Sequence, residues 1–281
     1  MSAKYISNVL FNNTLDKSSY LNDLPVIKYF KEFERLDFYA DVTFFVGENG
    51  TGKSTLLEAI AVAYGFNAEG GSNNFTFSTN ETHSELYEHI DLGKKDFAKD
   101  GFFLRAESLY NVATNIDDLD DPPSFDAPII GGYGGVSLHN QSHGESFLAI
   151  VKNRFFGNGL YILDEPEAAL SPMRLLSLMA EINNLVNKNS QFIIATHSPI
   201  LMTFPNAQIL EFSQDGIKET KYQDTKHFQI TKIFLENPEK MLHYLLDNSD
   251  SWLNHTSCLL RIKFWYNYWY LDGYISTNKN N

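Results

Sequence analysis

Residues 47–54, GENGTGKS, fit the pattern G-x-x-x-x-G-K-[ST] and are the part of the chain best suited to chemistry. A β-branched and aromatic run, Val42 to Val46, precedes them, and apolar residues at helical spacing follow. Strand, glycine-rich loop and helix together bring backbone N–H groups and a helix N-terminus to an anion. The pattern predicts a phosphate-binding loop in which Lys53 contacts the β- and γ-phosphates and the Ser54 hydroxyl contacts Mg²⁺.

Two acidic residues end a second apolar strand. Residues 160–163 precede Asp164 and Glu165, and the carboxyl ends of strands are where α/β folds bind ligands. Asp164 can anchor Mg²⁺ through water or through Ser54, and Glu165 can accept a proton from a water molecule aimed at the γ-phosphate. A third strand leads into His197, which can bond the γ-phosphate and the attacking water.

A serine- and glycine-containing segment stands before an amphipathic helix. Ser142, Gly144 and Glu145 lie at the start of this helix, where free N–H groups are suited to hold phosphate. The alternative is an ordinary capped helix, because any capped helix start looks similar. The segment alone leaves both interpretations open.

Composition limits the remaining function classes. The 281 residues are 43% hydrophobic and 20% charged, which suits a globular protein, and the formal net charge of −13 disfavours sequence-independent attachment to nucleic acid. A single cysteine, Cys258, excludes an internal disulfide. The sequence shows neither a signal peptide nor a run long enough to span a membrane, so we expect a cytoplasmic protein.

The segments GENGTGKST, QSHGES, LYILDEPEAALSP and IIATHSP occur in this order and resemble the ABC-type ATPases. The resemblance is to the soluble SMC/RecF-like branch, in particular to small stand-alone bacterial AAA-family ATPases, and covers about residues 36–246. It implies an α/β P-loop NTPase fold with a central, mostly parallel sheet, flanking helices and a small helical or irregular insertion.

That resemblance also predicts the domain organisation. Residues 1–247 form one ATPase domain, with the insertion at about 66–140. Residues 248–281 hold all three tryptophans and lack regular periodicity. We interpret them as a poorly ordered tail, with a membrane or partner anchor as the alternative.

The family motifs assign the site residues. Walker A consists of Gly47, Glu48, Asn49, Gly50, Thr51, Gly52, Lys53, Ser54 and Thr55. Asp164 and Glu165 are Walker B, residues 168–171 are the D-loop, and His197 is the switch histidine. The signature, which acts on the ATP of a second copy, consists of Ser142, His143, Gly144 and Glu145.

Two departures from the family pattern stand out. The signature reads S-H-G-E where transporter subunits usually have S-G-G-Q. The glutamine of the Q-loop is missing, and Glu107 stands at about its place, so we assign it as Q-loop-like.

The family implies ATP and Mg²⁺ as ligands, hydrolysis of ATP to ADP and phosphate, and a head-to-tail homodimer that encloses two ATP molecules. Three outputs remain open: a switch acting on nucleic acid or a partner protein in repair or defence, the ATPase subunit of a transporter, and a sensor that binds ATP without hydrolysis. The S-H-G-E signature and the missing glutamine favour the switch over the transporter subunit. Glu165 and His197 disfavour the sensor.

Overall fold

A six-stranded sheet forms the centre of the protein. A computed structural model describes residues 4–12, 15–72, 84–120 and 128–246, so the predicted tail lies outside the described residues. The strands are β1 (Ile6–Phe11), β2 (Arg35–Asp37), β3 (Val42–Gly47), β4 (Ile90–Lys94), β5 (Asp100–Arg105), β6 (Gly159–Asp164), β7 (Gln191–Ala195), β8 (Gln208–Ser213) and β9 (Gly216–Thr220).

The strand order of the large sheet is β5-β6-β7-β3-β8-β9. The first five strands are parallel, and β9 pairs with β8 in the antiparallel sense. A smaller antiparallel sheet has the order β2-β1-β4. The expected P-loop NTPase fold with a central, mostly parallel sheet is confirmed.

Helices flank the large sheet. They are α1 (Pro25–Phe33), α2 (Lys53–Tyr64), α3 (Leu109–Asp120), α4 (His143–Arg154) and α5 (Pro172–Asn187). Short 3₁₀ helices at Ile129–Tyr133 and Leu138–Asn140 pack with α3 and α4. Within the stretch 66–140, β4 and β5 belong to the two sheets, so only α3 and the segments around it correspond to the predicted helical insertion.

The continuous apolar sequences of the central strands are explained by burial of both faces of the large sheet. Phe44 belongs to a core shared with α3, α4 and α5, whereas Phe45 belongs to a core shared with α1, α2 and the small sheet. Successive side chains of a strand point to opposite faces. A parallel strand covered on both sides therefore needs a continuous apolar sequence rather than an alternating one.

The outer edge of β5 is partly covered. The Gly71 N–H donates to the Phe103 carbonyl at 2.7 Å, and the Phe103 N–H donates back to the Gly71 carbonyl at 2.9 Å. This pair of hydrogen bonds saturates the backbone at the middle of an edge strand. The strand at the opposite edge of the sheet, β9, carries the charged residues Lys218 and Glu219.

The chain divides by contacts into two compact units, residues 1–225 and 226–281. The first unit contains every predicted motif. In the second unit the described elements are α6 (Lys226–Glu236) and α7 (Pro238–Leu246), and the Asn237 side chain accepts from the Lys240 N–H at 3.2 Å at the start of α7. The domain boundary at residue 247 stays a prediction. Among the described helices, none combines the length and apolar character needed to cross a membrane.

A buried glutamine joins the two sheets. Gln191, at the start of β7, is 0% exposed. Its Oε1 accepts from the N–H groups of Tyr5 and Ile6 at 2.8 and 3.0 Å, and its Nε2 donates to the Ile6 carbonyl at 2.9 Å. The entry of β1 is thus bonded to the large sheet through one side chain.

Replacement of Gln191 by leucine should destabilise the fold. Gln191→Leu leaves two backbone N–H groups and one carbonyl without these partners, and buried unsatisfied groups cost about 1–3 kcal/mol each. We expect urea unfolding to report a loss of about 3 kcal/mol. Gln214→Leu, at an exposed position of the β8–β9 turn, is the control and should change stability little. Equal midpoints for the two variants would contradict the role of Gln191.

Candidate functional site

The loop between β3 and α2 has the backbone that a phosphate cradle requires. Gly47 has a φ of 135°, and a Cβ there would lie 2.1 Å from the Phe212 carbonyl oxygen. Gly52 has a φ of 94°, and a Cβ there would lie 2.5 Å from Cγ1 of Val26. Left-handed backbone and close neighbours restrict both positions to glycine. At the tip of the loop, Glu48, Asn49 and Gly50 are exposed.

Lys53 is held by the loop itself. Its side chain is buried, and Nζ donates to the carbonyl oxygens of Gly47 and Glu48 at 2.8 and 2.9 Å. Thr51 Oγ1 donates to the same Glu48 carbonyl at 2.8 Å. Thr55, the last residue of the predicted Walker A, is half-buried in the first turn of α2. Burial lowers the pKa of Lys53, and the nearby carboxylates, Glu165 foremost, oppose that shift. The ammonium is therefore prepositioned at the loop, where phosphate oxygens could replace the two carbonyls.

Ser54 and Asp164 form the second part of the site. Ser54 Oγ donates to Asp164 Oδ1 at 3.0 Å, although the two residues stand 110 positions apart. Burial raises the pKa of Asp164 to about 6, and Arg105 is the largest opposing influence, with Nε 3.5 Å from Oδ2. A hydroxyl beside a carboxylate is the oxygen donor set that Mg²⁺ prefers. The two residues thus fit a metal held at the foot of the phosphate loop.

Glu165 and His197 form the third part. Glu165 has a φ of 48°, and its N–H donates to the Ala195 carbonyl at 3.0 Å. The left-handed turn follows directly on the β6–β7 ladder, and such a conformation costs a non-glycine residue about 1 kcal/mol or more. Glu165 Oε1 lies 3.5 Å from His197 Nε2. Burial lowers the pKa of His197, with Lys53 adding to the effect, so the imidazole is neutral at pH 7.

The predicted signature caps α4. Ser142 and Glu145 form a capping box, in which the Ser142 side chain accepts from the Glu145 N–H and the Ser142 N–H donates to Glu145 Oε2 at 3.0 Å. The Ser142 hydroxyl also donates to Glu145 Oε2, at 2.6 Å. Arg174 of α5 donates to Ser142 Oγ at 3.1 Å and to Glu145 Oε1 at 2.9 Å. A Cβ on Gly144 would lie 2.8 Å from the Ala169 carbonyl oxygen. The signature therefore packs closely against the predicted D-loop.

An open cavity of about 350 Å³ connects several of these groups. It is lined by Ser54, Arg105, Ala106, Glu107, His143, Asp164, Glu165 and Ala168. His143 Nε2 lies 3.1 Å from the Ala106 carbonyl oxygen. The structure thus brings His143 of the predicted signature to the predicted Walker B acids, whereas Ser142, Gly144 and Glu145 do not line this cavity.

Sequence reasoning missed Arg105. Its guanidinium forms ion pairs with Glu58 of α2, with Asp164 of β6 and with Glu107. Glu107, assigned as Q-loop-like, is 72% exposed in its side chain and reaches the site through this contact. The available signal for Arg105 was its position, since it is a charged residue at the end of the apolar strand β5.

Sequence reasoning also missed Glu167. Its carboxylate accepts from Thr196 Oγ1 at 2.8 Å and from the backbone N–H of His197. The segment LDEPE contains three acids, and the sequence analysis assigns roles only to the first two, Asp164 and Glu165.

Two family models match the chain. One described as "AAA domain" matches residues 26–110, and one described as "AAA domain, putative AbiEii toxin, Type IV TA system" matches residues 131–203. Together they span the predicted phosphate loop, the predicted signature, both predicted Walker B acids and His197.

A curated relative is named "Retron Vc95 probable ATPase", from Vibrio cholerae serotype O1 biovar El Tor. It is 24% identical over 183 residues, which are 57% of this chain and 34% of that protein. The chain thus matches about a third of that relative's length.

Two similar solved structures come from ABC transporters. CbiO1 from Clostridium perfringens, described as part of the ABC transporter complex CbiONQ, has a TM-score of 0.47 and 15% identity, with 84% of this chain and 98% of that chain covered. The dimeric structure of MJ0796, a bacterial ABC transporter cassette, has a TM-score of 0.40 and 13% identity, with 68% and 90% covered.

Removal of the Arg105 charge should destabilise the protein in a pH-dependent way. Arg105→Met leaves Glu58 and Asp164, whose side chains are 12% and 7% exposed, without their shared cation. Loss of one partner of a buried pair costs about 3–5 kcal/mol. We expect urea unfolding at pH 8 to show a loss of about 3 kcal/mol.

That loss should shrink as the pH falls from 8 toward about 6. Arg105 opposes the raised pKa of Asp164, so the variant protonates Asp164 at a higher pH than the wild type and thereby removes the buried charge that needs a partner. Arg35→Met is the matched control, since the Arg35–Asp37 pair is exposed and should matter little. A loss independent of pH would contradict the electrostatic explanation.

Proposed function

We propose that this chain is a small AAA/ABC-like ATPase that binds ATP with Mg²⁺ in the cytoplasm and hydrolyses the ATP to ADP and phosphate. The observation that carries the proposal is the meeting of three groups at the carboxyl ends of parallel strands. These groups are the buried Lys53 ammonium, the Ser54–Asp164 hydrogen bond and the Glu165–His197 contact. An anion site, a cation site and a proton acceptor are the parts that phosphoryl transfer to water needs.

The phosphate loop provides binding. Lys53 would exchange its two carbonyl acceptors, on Gly47 and Glu48, for oxygens of the β- and γ-phosphates. The exchange replaces neutral acceptors by charged ones, which strengthens the hydrogen bonds of a buried ammonium. Mg²⁺ held by Ser54 and Asp164 would offset the negative charge of the phosphates.

Glu165 and His197 provide the chemistry at the attacking water. Glu165 is half-buried and open to the cavity, so its carboxylate can accept the proton that the water releases. His197 is neutral at pH 7, so its ring can share a hydrogen bond with the water or the γ-phosphate without taking the proton from Glu165.

The proposed active state is a head-to-tail homodimer in which the signature of each copy acts on the ATP of the other. Ser142 and Glu145 are exposed and lie outside the lining of their own cavity, which supports a role toward a second copy. Arg174, bonded to both, adds a cation to this surface. ATP enclosed between two copies would join them, and its hydrolysis would release them.

The proposed output is a switch that acts on nucleic acid or a partner protein, in repair or defence. The names found for similar sequences, a retron ATPase and a type IV toxin–antitoxin system, support an output other than transport. The S-H-G-E signature and Glu107 in place of the Q-loop glutamine also argue against the transporter alternative.

Glu165→Gln should separate binding from hydrolysis. Loss of a general base slows chemistry by roughly 10²–10⁴-fold, while the phosphate loop stays intact. The variant should bind ATP, barely turn it over, and accumulate as a dimer in light scattering at saturating ATP. Glu32→Gln, at an exposed position of α1, is the control for a lost carboxylate. A Glu165→Gln protein that stays monomeric with ATP would refute the enclosed dimer.

A mixing experiment should show which copy supplies Ser142. Lys53→Ala and Ser142→Arg should each be inactive alone, because the first loses the phosphate cation and the second blocks docking of the partner's γ-phosphate. In a mixed dimer, one site combines the intact Lys53 of one copy with the intact Ser142 of the other. Mixing should therefore recover part of the ATP turnover. No recovery would mean that Ser142 acts within its own copy or only caps α4.

A further inference from the structure

Glu167 lies between the Walker B acids and the D-loop. It belongs to the 3₁₀ helix Pro166–Ala168, which leads directly into residues 168–171. Its carboxylate accepts from Thr196 Oγ1 at 2.8 Å and from the His197 backbone N–H. The Thr196 hydroxyl in turn accepts from the Ser198 N–H at 3.0 Å. The Glu167 carboxylate thus accepts two hydrogen bonds from the loop that carries His197.

The surroundings make these bonds strong. Thr196 is 0% exposed, and Glu167, which accepts its hydrogen bond, is half-buried. Burial raises the pKa of Glu167, and the bonds from the His197 N–H and the Thr196 hydroxyl oppose that shift. Hydrogen bonds to a carboxylate are roughly twice as strong as those between neutral groups. The carboxylate is therefore well suited to fix the backbone of residues 196–198.

The fixed backbone determines where the imidazole lies. His197 is bonded through its own N–H, and its Nε2 lies 3.5 Å from Glu165 Oε1. A shift of the loop would change that separation directly. On its other side, Glu167 is continuous with the D-loop, whose Ala169 carbonyl packs against Gly144 of the signature helix.

We propose that Glu167 is a positioning residue that holds His197 against Glu165 and couples His197 to the D-loop. The inference rests on the proposed ATPase function and adds to it a specific link between the surface predicted to face a second copy and the group at the attacking water. A second copy that displaces residues 168–171 would move His197 through Glu167. Engagement of the partner would then align the water-binding groups.

Glu167→Gln tests the link with little change in size. The amide keeps one acceptor oxygen but loses the charge, so the two donors can no longer be held equally well. Misplacement of a catalytic group by about 1 Å costs roughly 10²-fold in rate. We expect kcat to fall by roughly 10- to 100-fold with an unchanged affinity for ATP. Glu32→Gln should leave both quantities unchanged.

The decisive comparison uses the His197→Ala background. A residue that acts through His197 has no further effect once the imidazole is gone, so Glu167→Gln should leave the residual kcat of His197→Ala unchanged. An equal fall in kcat in both backgrounds would overturn the inference, as would a normal kcat for Glu167→Gln alone. Thr196→Val, which removes one donor to the carboxylate, should give a smaller fall and replaces Glu167→Gln if that variant does not fold.

Amide hydrogen exchange at His197 gives a readout independent of turnover. Glu167→Gln should speed exchange of the His197 N–H, while Glu32→Gln should not. Unchanged exchange in Glu167→Gln would overturn the inference even if the protein hydrolyses ATP. Faster exchange in a protein without ATP turnover would instead support the link and refute the proposed hydrolysis.

Discussion

The site is organised around one buried carboxylate, Asp164. An isolated buried carboxylate costs several kcal/mol, so its two oxygens need partners of opposite character. Oδ1 receives the Ser54 hydroxyl from the start of α2, and Oδ2 faces Arg105 at the end of β5. Because Arg105 also pairs with Glu58, the same cation links β5, β6 and α2. The demand of one side chain for partners thus fixes the phosphate loop relative to the rest of the sheet.

The two halves of the site differ in their mechanical character. The half proposed to bind phosphate is buried and bonded within itself, as Lys53 and the Ser54–Asp164 pair show. The half proposed to contact the attacking water is more open, since the side chains of Glu165 and His197 are 43% and 25% exposed, and Glu165 has a strained backbone. In the proposed switch, the rigid half would retain nucleotide while the open half adjusts.

The sequence predicted the parts of the site that follow from local pattern. The loop after β3 and the two acids at the end of β6 lie at the carboxyl ends of buried parallel strands, where apolar runs and the residues that follow them are informative. The sequence did not reveal the roles of Arg105, Glu167 and Gln191, because their partners lie far away in the chain. Arg105 pairs with Asp164, which is itself bonded to Ser54, and Gln191 bonds to the backbone at the start of β1. Helix α6 was not predicted either, because its apolar residues are interleaved with polar ones. Sequence spacing indicates which strand end a residue occupies, but not which distant donor it meets.

The bridge between Gly71 and Phe103 has a consequence for association between chains. The outer strand of an open sheet is a template on which another polypeptide can add a strand, and proteins manage this hazard explicitly. Here the middle of β5 already has its N–H and C=O taken by Gly71, and the opposite edge carries Lys218 and Glu219. Self-templated growth of the sheet by addition of a further strand is thereby discouraged at both edges.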